Sequence, residues 1–332
     1  MSSNRKMYFC FFILFLIHNG KGNLDNPENT TVHRRIIGGE EVKRIADYPF
    51  MAYILVHANS THYSKCGGSV LGPRHVMTAA HCVTDCVLNL CHIFSARDIL
   101  VFTGGVAPGY RGFWTKVITV IVHPSYSPID LFERCHYNYD IAVLVLRSTL
   151  PLSDRISPVR LPEAVSLKDL DNSTTNKFAM AGTNCDIVGW GESEVNNFIL
   201  RHATVPLCDA SKCMDYIRQI KQTDPYGPSK FCLNTQICSM DTTNKSNICG
   251  GDSGGPILCN GIQVGITSYA FVKECAGSYN PGLYTRTDVC KKWIHEIMEI
   301  SIDRSSISNT KFTLLLITVM LLAQLYLNCT IV

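Results

Sequence analysis

The sequence predicts an all-β protein of the sandwich or barrel type, with one helix near the end of its body. Short apolar runs of strand length alternate with clusters of Gly, Pro and Asn along most of the chain. Clear examples are KVITVIVH (116–123), DIAVLVLR (140–147) and GIQVGITSYAF (261–271). Runs of this kind, separated by turn residues, are typical of sandwiches and barrels.

The helix is predicted over 288–300 (DVCKKWIHEIMEI). Its apolar residues recur at helical spacing and fall on one face. They are Val289, Trp293, Ile297 and Ile300. Asp288 stands at the start as a fair N-cap residue. We therefore expect this helix to pack its apolar stripe onto a barrel.

The composition is that of a globular protein. The chain has 332 residues, 46% of them hydrophobic and 17% charged, with a formal net charge of +3. This length allows a sizeable core, and the composition is too apolar for a disordered chain. Lys and Arg are scattered and matched by acidic residues, which argues against a nucleic-acid partner.

Cysteine usage indicates an oxidising compartment. The chain has 16 cysteines, and 14 of them lie between Cys66 and Cys290. A cytosolic enzyme rarely carries so many, so a disulfide framework is expected.

The N-terminus agrees with export from the cell. Arg5 and Lys6 precede an apolar run over 7–17, and small residues follow, as in a secretory signal covering 1–22. A transmembrane anchor is the alternative, although the run is short for a span. Export would make the Asn-x-Ser/Thr sequons at Asn29, Asn59, Asn172 and Asn244 usable.

The C-terminal segment 301–332 joins a small polar spacer to an apolar tail. Residues 312–332 include no charged residue, and nothing basic follows them. This pattern is typical of a tail that is exchanged for a GPI anchor, here near Ser305, Ser306 or Ser308. A transmembrane helix is the second alternative, and a tail that does neither is the third.

A candidate nucleophile, Ser253, lies in GDSGGP (251–256). A serine hydroxyl attacks well only when a base takes its proton and donors stabilise the oxyanion. The flanking glycines let backbone N–H groups reach such a site. Candidate partners are His81 in VMTAAHCV and Asp140 in NYDIAVLVL. Each is commonplace alone, but together, in the order His, Asp, Ser, they indicate a catalytic set.

From about Ile36 to Ile300 the chain resembles the chymotrypsin-like (trypsin-family) serine proteases. The matching motifs are RIIGGE (35–40), CGGSVLGPRHVMTAAHC (66–82), YDIAVLVL (139–146), CDIVGWG (185–191), CGGDSGGPILC (249–259), GITSYA (265–270) and PGLYTR (281–286). The fold of that family is two antiparallel β-barrels, with the active site in the cleft between them.

The resemblance implies a role for each candidate residue. Ser253 would attack the scissile carbonyl, His81 would act as general base and then general acid, and Asp140 would orient His81. The N–H groups of Gly251 and Ser253 would form the oxyanion hole, and neither a metal nor another cofactor is implied. A non-catalytic relative that binds peptides in the same cleft is an alternative, as is a surface-anchored adhesion ectodomain. Non-catalytic relatives usually lack a triad residue or carry an altered GDSGGP. In this chain the triad and GDSGGP are both intact, so neither alternative is favoured.

The resemblance also implies a zymogen. Cleavage between Arg35 and Ile36 would free an ammonium group that pairs with Asp252 in the interior. Residues 23–35 would then be an activation propeptide. This segment has no cysteine, so nothing covalent would retain it.

The resemblance also implies which residues form the primary specificity pocket. Asn247 would form its floor, and Ala270 and Gly282 would form its walls. Neutral Asn247 cannot neutralise a buried ammonium or guanidinium, so a trypsin-like preference should be weak. Its amide suits a polar uncharged side chain or Tyr. Such an enzyme should not cut its own Arg35–Ile36 bond. The expected partners are therefore protein or peptide substrates, a separate trypsin-like activator and protease inhibitors.

Four disulfides are implied by resemblance: Cys66–Cys82, Cys185–Cys259, Cys213–Cys238 and Cys249–Cys275. The other body cysteines are Cys86, Cys91, Cys135, Cys208, Cys232 and Cys290. These six allow 15 pairings, so the sequence alone does not choose among them. Cys86–Cys91 is the favoured local pair, and a metal site with His92 is its alternative. Disulfides in loops that flank the cleft would narrow substrate choice.

Overall fold

The structure is a computed structural model. It describes residues 36, 39–57, 63–87, 90–130, 135–162, 181–191, 198–223, 232–241, 246–270 and 281–302. Several predicted features lie outside these residues: the signal over 1–22, the propeptide over 23–35 with Arg35, the sequons, Cys275 and the apolar tail over 312–332.

The described residues form mostly β-strands, as predicted. The strands are β1 Glu40–Glu41, β2 Met51–His57, β3 Tyr63–Gly72, β4 His75–Thr78, β5 Thr84–Val87, β6 Leu90–Ile93, β7 Ile99–Thr103, β8 Phe113–Val122, β9 Ser127–Asp130, β10 Cys135–Asn138, β11 Ala142–Leu146, β12 Asn184–Gly189, β13 Arg201–Pro206, β14 Gln236–Ser239, β15 Pro256–Cys259, β16 Ile262–Ala270 and β17 Gly282–Arg286. The helices are α1 Ala210–Thr223 and α2 Thr287–Ile302.

The first half of the described body is a closed antiparallel barrel in the order β11-β4-β3-β2-β7-β8. Strand β8 alternates at its start, with Thr115 and Val117 buried between exposed neighbours. Strand β11 (AVLVL) is buried throughout, because the barrel lies on one face and other elements, including α2, cover the other. Its unbroken apolar run follows from this burial on both faces.

The second half is a seven-stranded antiparallel sheet in the order β1-β13-β12-β15-β16-β17-β14. Its core includes fully buried Ile36, Ile257 and Tyr284. With the closed barrel of the first half, this sheet fits the two-barrel fold that the resemblance implied.

The two halves touch where two glycine backbones meet. A Cβ atom on Gly67 of β3 would lie 2.9 Å from the Cα of Gly255. Real Cβ atoms do not approach other atoms so closely, so a side chain at Gly67 would push the halves apart. The Gly67 N–H also donates to the carbonyl of Ser253 at 2.7 Å, which fixes the segment 252–255 against the first barrel.

Helix α2 confirms the predicted helix but differs in two details. Its fully buried residues are Thr287, Cys290 and Ile294, whereas Val289, Trp293 and Ile297 are half-buried at the edge of the contact. The helix begins at Thr287, so the prediction of Asp288 as N-cap is wrong. The Asp288 carboxylate instead accepts from Arg286 at 2.6 and 3.0 Å.

Helix α1 was not predicted from the sequence. Within ASKCMDYIRQIKQT only Cys213 and Ile217 are buried among the residues whose side chains the structure describes. So narrow a stripe gives little periodic signal. Within the described parts of the chain, no helix combines the length and the apolar character that a membrane span requires.

Candidate active site

His81 and Asp140 are brought together by neighbouring strands of the first barrel. His81 lies in a 3-10 turn, Ala80–Cys82, that follows β4, and Asp140 comes just before β11. Strands β4 and β11 pair antiparallel, with Ala142 opposite Thr78, so the end of one lies beside the start of the other. The His81 Nδ1 atom is 2.7 Å from Asp140 Oδ2, and the His81 backbone N–H donates to Oδ1 at 2.9 Å.

The Asp140 side chain is fully buried, and it is well supplied with donors. Besides the two groups of His81, the Ser268 hydroxyl donates to Asp140 Oδ2 at 2.6 Å. A buried carboxylate is costly unless it is paired and hydrogen-bonded. These contacts compensate for the burial of the Asp140 carboxylate.

Burial of the His81 ring disfavours its charged form, but the charge of Asp140 and its hydrogen bond outweigh this. The pKa of His81 is therefore raised above its ordinary value of 6.5. The side chain keeps 24% of its surface exposed. With Nδ1–H donated to Asp140, Nε2 is the proton acceptor of the neutral ring.

Ser253 sits in a tight turn made of consecutive backbone hydrogen bonds. Asp252 N–H donates to Cys249 O at 3.0 Å, and Gly255 N–H donates to Asp252 O at 2.9 Å. Gly254 has φ +79°, and a Cβ atom there would lie 2.1 Å from Thr78 Oγ1. Glycine at 254 is thus required both by its backbone angle and by the approach of the first barrel.

The N–H groups of Gly251 and Ser253 stand out in this turn. Within the described residues, neither donates to a protein acceptor, whereas the N–H groups of Asp252, Gly254 and Gly255 all do. Gly251 has φ +91°, a backbone angle that glycine adopts readily and other residues rarely do. Two unpaired N–H groups two residues apart, beside a candidate nucleophile, can stabilise an oxyanion.

A disulfide ties the turn of Ser253 to the neighbourhood of His81. Cys66 of β3 is bonded to Cys82, the residue after His81. The residue after Cys66 is Gly67, whose N–H holds the carbonyl of Ser253. Ser253 and His81 are therefore each linked to the same stretch of β3, Cys66–Gly67.

Asp252 is buried in a cradle of backbone groups. Its Oδ1 accepts from Gly191 N–H at 2.8 Å, and its Oδ2 accepts from Cys249 N–H at 2.9 Å. A Cβ atom on Gly189 or Gly191 would lie 2.1 or 2.5 Å from this carboxylate. Ile36, the predicted new N-terminus, is fully buried in the core of the same half.

The three predicted pocket residues are also neighbours. Ala270 and Gly282 face each other across β16 and β17. A Cβ atom on Gly282 would lie 3.3 Å from Asn247 Oδ1 and 2.8 Å from the Tyr284 hydroxyl, so only glycine leaves this space open. Asn247 Oδ1 accepts from the N–H of Ile248 at 2.8 Å.

The described residues contain five disulfides: Cys66–Cys82, Cys86–Cys91, Cys135–Cys232, Cys185–Cys259 and Cys213–Cys238. Cys249 is also disulfide-bonded, and its expected partner Cys275 lies outside the described residues. Cys208 and Cys290 are free thiols, and Cys290 is buried in the core. Burial raises the pKa of the Cys290 thiol to about 12.

Sequence reasoning missed several residues around His81. The Tyr137 ring lies 5.5 Å from the His81 ring and 5.1 Å from the Tyr269 ring, measured between centroids. Ser268, the donor to Asp140, and Tyr269 lie inside the GITSYA motif, which could have pointed to them. Nothing in the sequence around Tyr137 signals its position, because that position depends on contacts with the second half.

Comparison with known proteins identifies the family. The sequence model of the Trypsin family matches residues 36–294. The chain therefore belongs to the trypsin family of serine proteases and is a serine endopeptidase, which confirms the resemblance found in the sequence.

Three named relatives are similar over most of the chain. Glandular kallikrein-10 of Rattus norvegicus is 28% identical over 298 residues, covering 87% of this chain and 98% of its own. Trypsin 5G1 of Aedes aegypti is 31% identical over 267 residues, covering 79% and 85%. Duodenase-1 of Bos taurus is 30% identical over 270 residues, covering 80% and 89%.

Proposed function

We propose that this serine protease is made as a secreted or cell-surface zymogen and cuts peptide bonds through Ser253, His81 and Asp140. The observation that carries the proposal is the buried Asp140 carboxylate, which holds His81 through two hydrogen bonds beside the turn of Ser253. A histidine fixed in this way, with Nε2 as the acceptor of its neutral ring, is suited to deprotonate a serine hydroxyl.

In the proposed reaction, His81 Nε2 takes the proton of the Ser253 hydroxyl as Oγ attacks the scissile carbonyl. The N–H groups of Gly251 and Ser253 receive the oxyanion, and the charged imidazole is stabilised by Asp140. His81 then protonates the leaving amine, which leaves an acyl-enzyme. Water, deprotonated by His81 in turn, releases the acid product and restores Ser253.

Activation is proposed to follow cleavage of the Arg35–Ile36 bond. The new ammonium of Ile36 would pair with Asp252, one residue before the nucleophile. Buried Ile36 and the buried, glycine-lined carboxylate support this step, because an uncompensated charge in either place would be costly. The pairing would couple the cut to the backbone that carries the N–H groups of Gly251 and Ser253.

The pocket of Asn247, Ala270 and Gly282 is proposed to prefer a polar uncharged side chain or Tyr over Lys and Arg. The floor residue is neutral, and the described residues that adjoin Asn247 at Gly282 are also uncharged. A substrate cation would lose hydration there without gaining an ion pair. A separate trypsin-like protease would therefore cut Arg35–Ile36.

The ends of the chain are proposed to serve targeting. Residues 1–22 would direct export, and 301–332 would attach the protein to a membrane as a GPI signal or a transmembrane helix. Protein substrates, the activating protease and protease inhibitors are the partners that fit this location.

The test uses the full chain secreted or displayed by cultured cells. The protein is treated with bead-bound trypsin, freed of the beads, and then incubated with a fluorophosphonate and with a diverse peptide library. We expect labelling at Ser253 and cleavage after one class of residue, both absent in Ser253→Ala. Correctly exposed Ile36 without labelling or cleavage would refute the proposed function and favour a peptide-binding relative.

A further inference from the structure

Three cysteine sulfur atoms lie together where helix α1 packs on the second half of the body. Cys213 of α1 is bonded to Cys238 of β14, and Cys208 is a free, half-buried thiol just before the helix. The three Sγ atoms lie within 4.8 Å of one another. Among the described residues Cys290 is the other free thiol, and it belongs to no such cluster. A thiol within reach of a disulfide can exchange with it.

The backbone places Cys208 directly opposite Cys238. Leu207 and Ser239 form an antiparallel bridge, so the next residue on one side faces the previous residue on the other. The Cys208 N–H donates to the Cys238 carbonyl at 2.9 Å, which agrees with this register. Residues that face each other in this way have Cα atoms about 4.5–5.5 Å apart, a separation that a disulfide can span.

Two other disulfides of this protein join cysteines that face each other across antiparallel strands. Cys86 and Cys91 are opposite each other in β5 and β6, and their Cα atoms are 4.0 Å apart. Cys185 and Cys259 continue the antiparallel pairing of β12 with β15, and their Cα atoms are 4.3 Å apart. A bond from the free thiol to the cysteine of β14 would have the same arrangement.

Cys238 is therefore within reach of two partners that hold it differently. Its bond to Cys213 joins α1 to β14 over a Cα separation of 6.8 Å, the largest among the five described disulfides. A bond to Cys208 would instead join two segments that are already hydrogen-bonded to each other. Helix α1 would then be held by packing alone, with its buried Ile217 in one apolar cluster with Leu283 of β17.

We propose that Cys208, Cys213 and Cys238 form a thiol–disulfide exchange site, which ties helix α1 covalently in one state and releases it in the other. The Cys208 thiol loses its proton to water, and the thiolate attacks Cys238 Sγ. The Cys208–Cys238 bond forms as the Cys213–Cys238 bond breaks, and Cys213 leaves as a thiolate that takes up a proton. One thiol and one disulfide are present before and after, so the step needs no oxidant or reductant.

The protonation of Cys208 sets the rate of this step, since the thiolate is the attacking species. Burial raises the pKa of the Cys208 thiol. Two charges at the start of α1 also act on this pKa: Lys212 lowers it and Asp209 raises it. The thiol is therefore mostly protonated near neutral pH, and the rate should rise about tenfold per pH unit there.

The experiment maps the disulfides of the full-length zymogen secreted by cultured cells. Samples purified at about pH 6 are shifted to about pH 8 for increasing times, then blocked with N-ethylmaleimide at the lower pH. Peptic fragments, made in acid without reduction, are identified by mass spectrometry. We expect the Cys208–Cys238 linkage, with alkylated Cys213, to accumulate about 100-fold faster at the higher pH. Amide hydrogen exchange over 210–223 should become faster in the same samples.

Three variants separate this exchange from general scrambling of disulfides. Cys213→Ser removes the present partner, so Cys208 should bond to Cys238 and escape alkylation. Cys208→Ser should show the Cys213–Cys238 linkage alone at either pH. Cys290→Ser is the matched control, because it removes the other described free thiol and should exchange at the wild-type rate.

Wild-type protein that keeps Cys213–Cys238 as its sole linkage after the shift would overturn the proposal. A linkage of Cys208 to Cys213 would also overturn it, because it contradicts the placement of Cys208 opposite Cys238. So would alkylation of both Cys208 and Cys238 in Cys213→Ser. If that variant is not secreted, the wild-type time course still decides, since it needs no substitution.

Discussion

Replacing Asn247 by Asp should convert the preference of the enzyme to Arg and Lys. The two side chains have nearly the same shape, and a carboxylate oxygen can keep the hydrogen bond from Ile248 N–H. That same oxygen lies beside Gly282, where the wall is open, so the substitution places a negative charge there. The perturbation is therefore electrostatic, with little change in packing.

The magnitude follows from the half-buried position of Asn247. A carboxylate and a guanidinium about 4 Å apart attract by about 4 kcal/mol at an effective dielectric constant of about 20. Desolvation of the new carboxylate offsets part of this, which leaves about 2–3 kcal/mol. The expected gain in kcat/KM for Arg at the cut is about 30- to 150-fold.

The assay compares fluorogenic peptides that differ only in the residue at the cut. Asn260→Asp is the matched control, because it adds the same charge at an exposed turn between β15 and β16. The Asn247→Asp zymogen should also begin to cut its own Arg35–Ile36 bond, whereas the wild type and the control should not. An unchanged ratio of Arg to neutral cleavage would refute the assignment of Asn247 to the pocket floor.

Three further predictions concern the site and its support. The kcat/KM should rise as pH increases through the pKa of His81, with a midpoint above 6.5, because the base must be neutral; a midpoint below 6.5 in the pH–rate profile would contradict the raised pKa. Gly254→Ala should lower stability by about 3–5 kcal/mol, since its Cβ meets Thr78 Oγ1. Gly109 has a similar φ, and a Cβ added there would have nothing within 4 Å. Gly109→Ala should therefore cost about 1 kcal/mol, which lowers the melting temperature by only a few degrees. Equal losses of stability in the two variants would refute the steric explanation. Asp252→Ala, after a complete cut at position 35, should show no fluorophosphonate labelling, and labelling at the wild-type rate would contradict the proposed activation pair.

Much of the fold and the candidate site could be predicted because the informative signals are local. Strand-length apolar runs indicated the all-β body, and β8, β11 and β16 fall within the expected ranges to within a few residues. The glycines of GDSGGP are required by the turn itself, so a short motif is enough to predict the turn. Gly254 illustrates this, because its φ and its contact with Thr78 exclude any side chain.

The remainder depends on packing between distant segments, which a single sequence does not encode visibly. Cys135 could have paired with any of five other cysteines, and only the approach of the 232–236 segment selects Cys232. Tyr137 acquires its place beside His81 through that same approach. Helix α2 was found, but its buried face is centred on Cys290 and Ile294, since the barrel surface rather than the apolar count sets its rotation.

The Cys135–Cys232 bond gives the two halves a covalent connection that is independent of the polypeptide between them. A protease that nicked the chain between Leu146 and Asn184 would leave the halves linked, and they would separate on a gel only after reduction. The loop of 97 residues closed by this bond also restricts the unfolded chain, which in the chain-entropy description is worth about 4–5 kcal/mol. A nicked molecule could thus refold as a unimolecular species, at a rate that does not depend on its concentration.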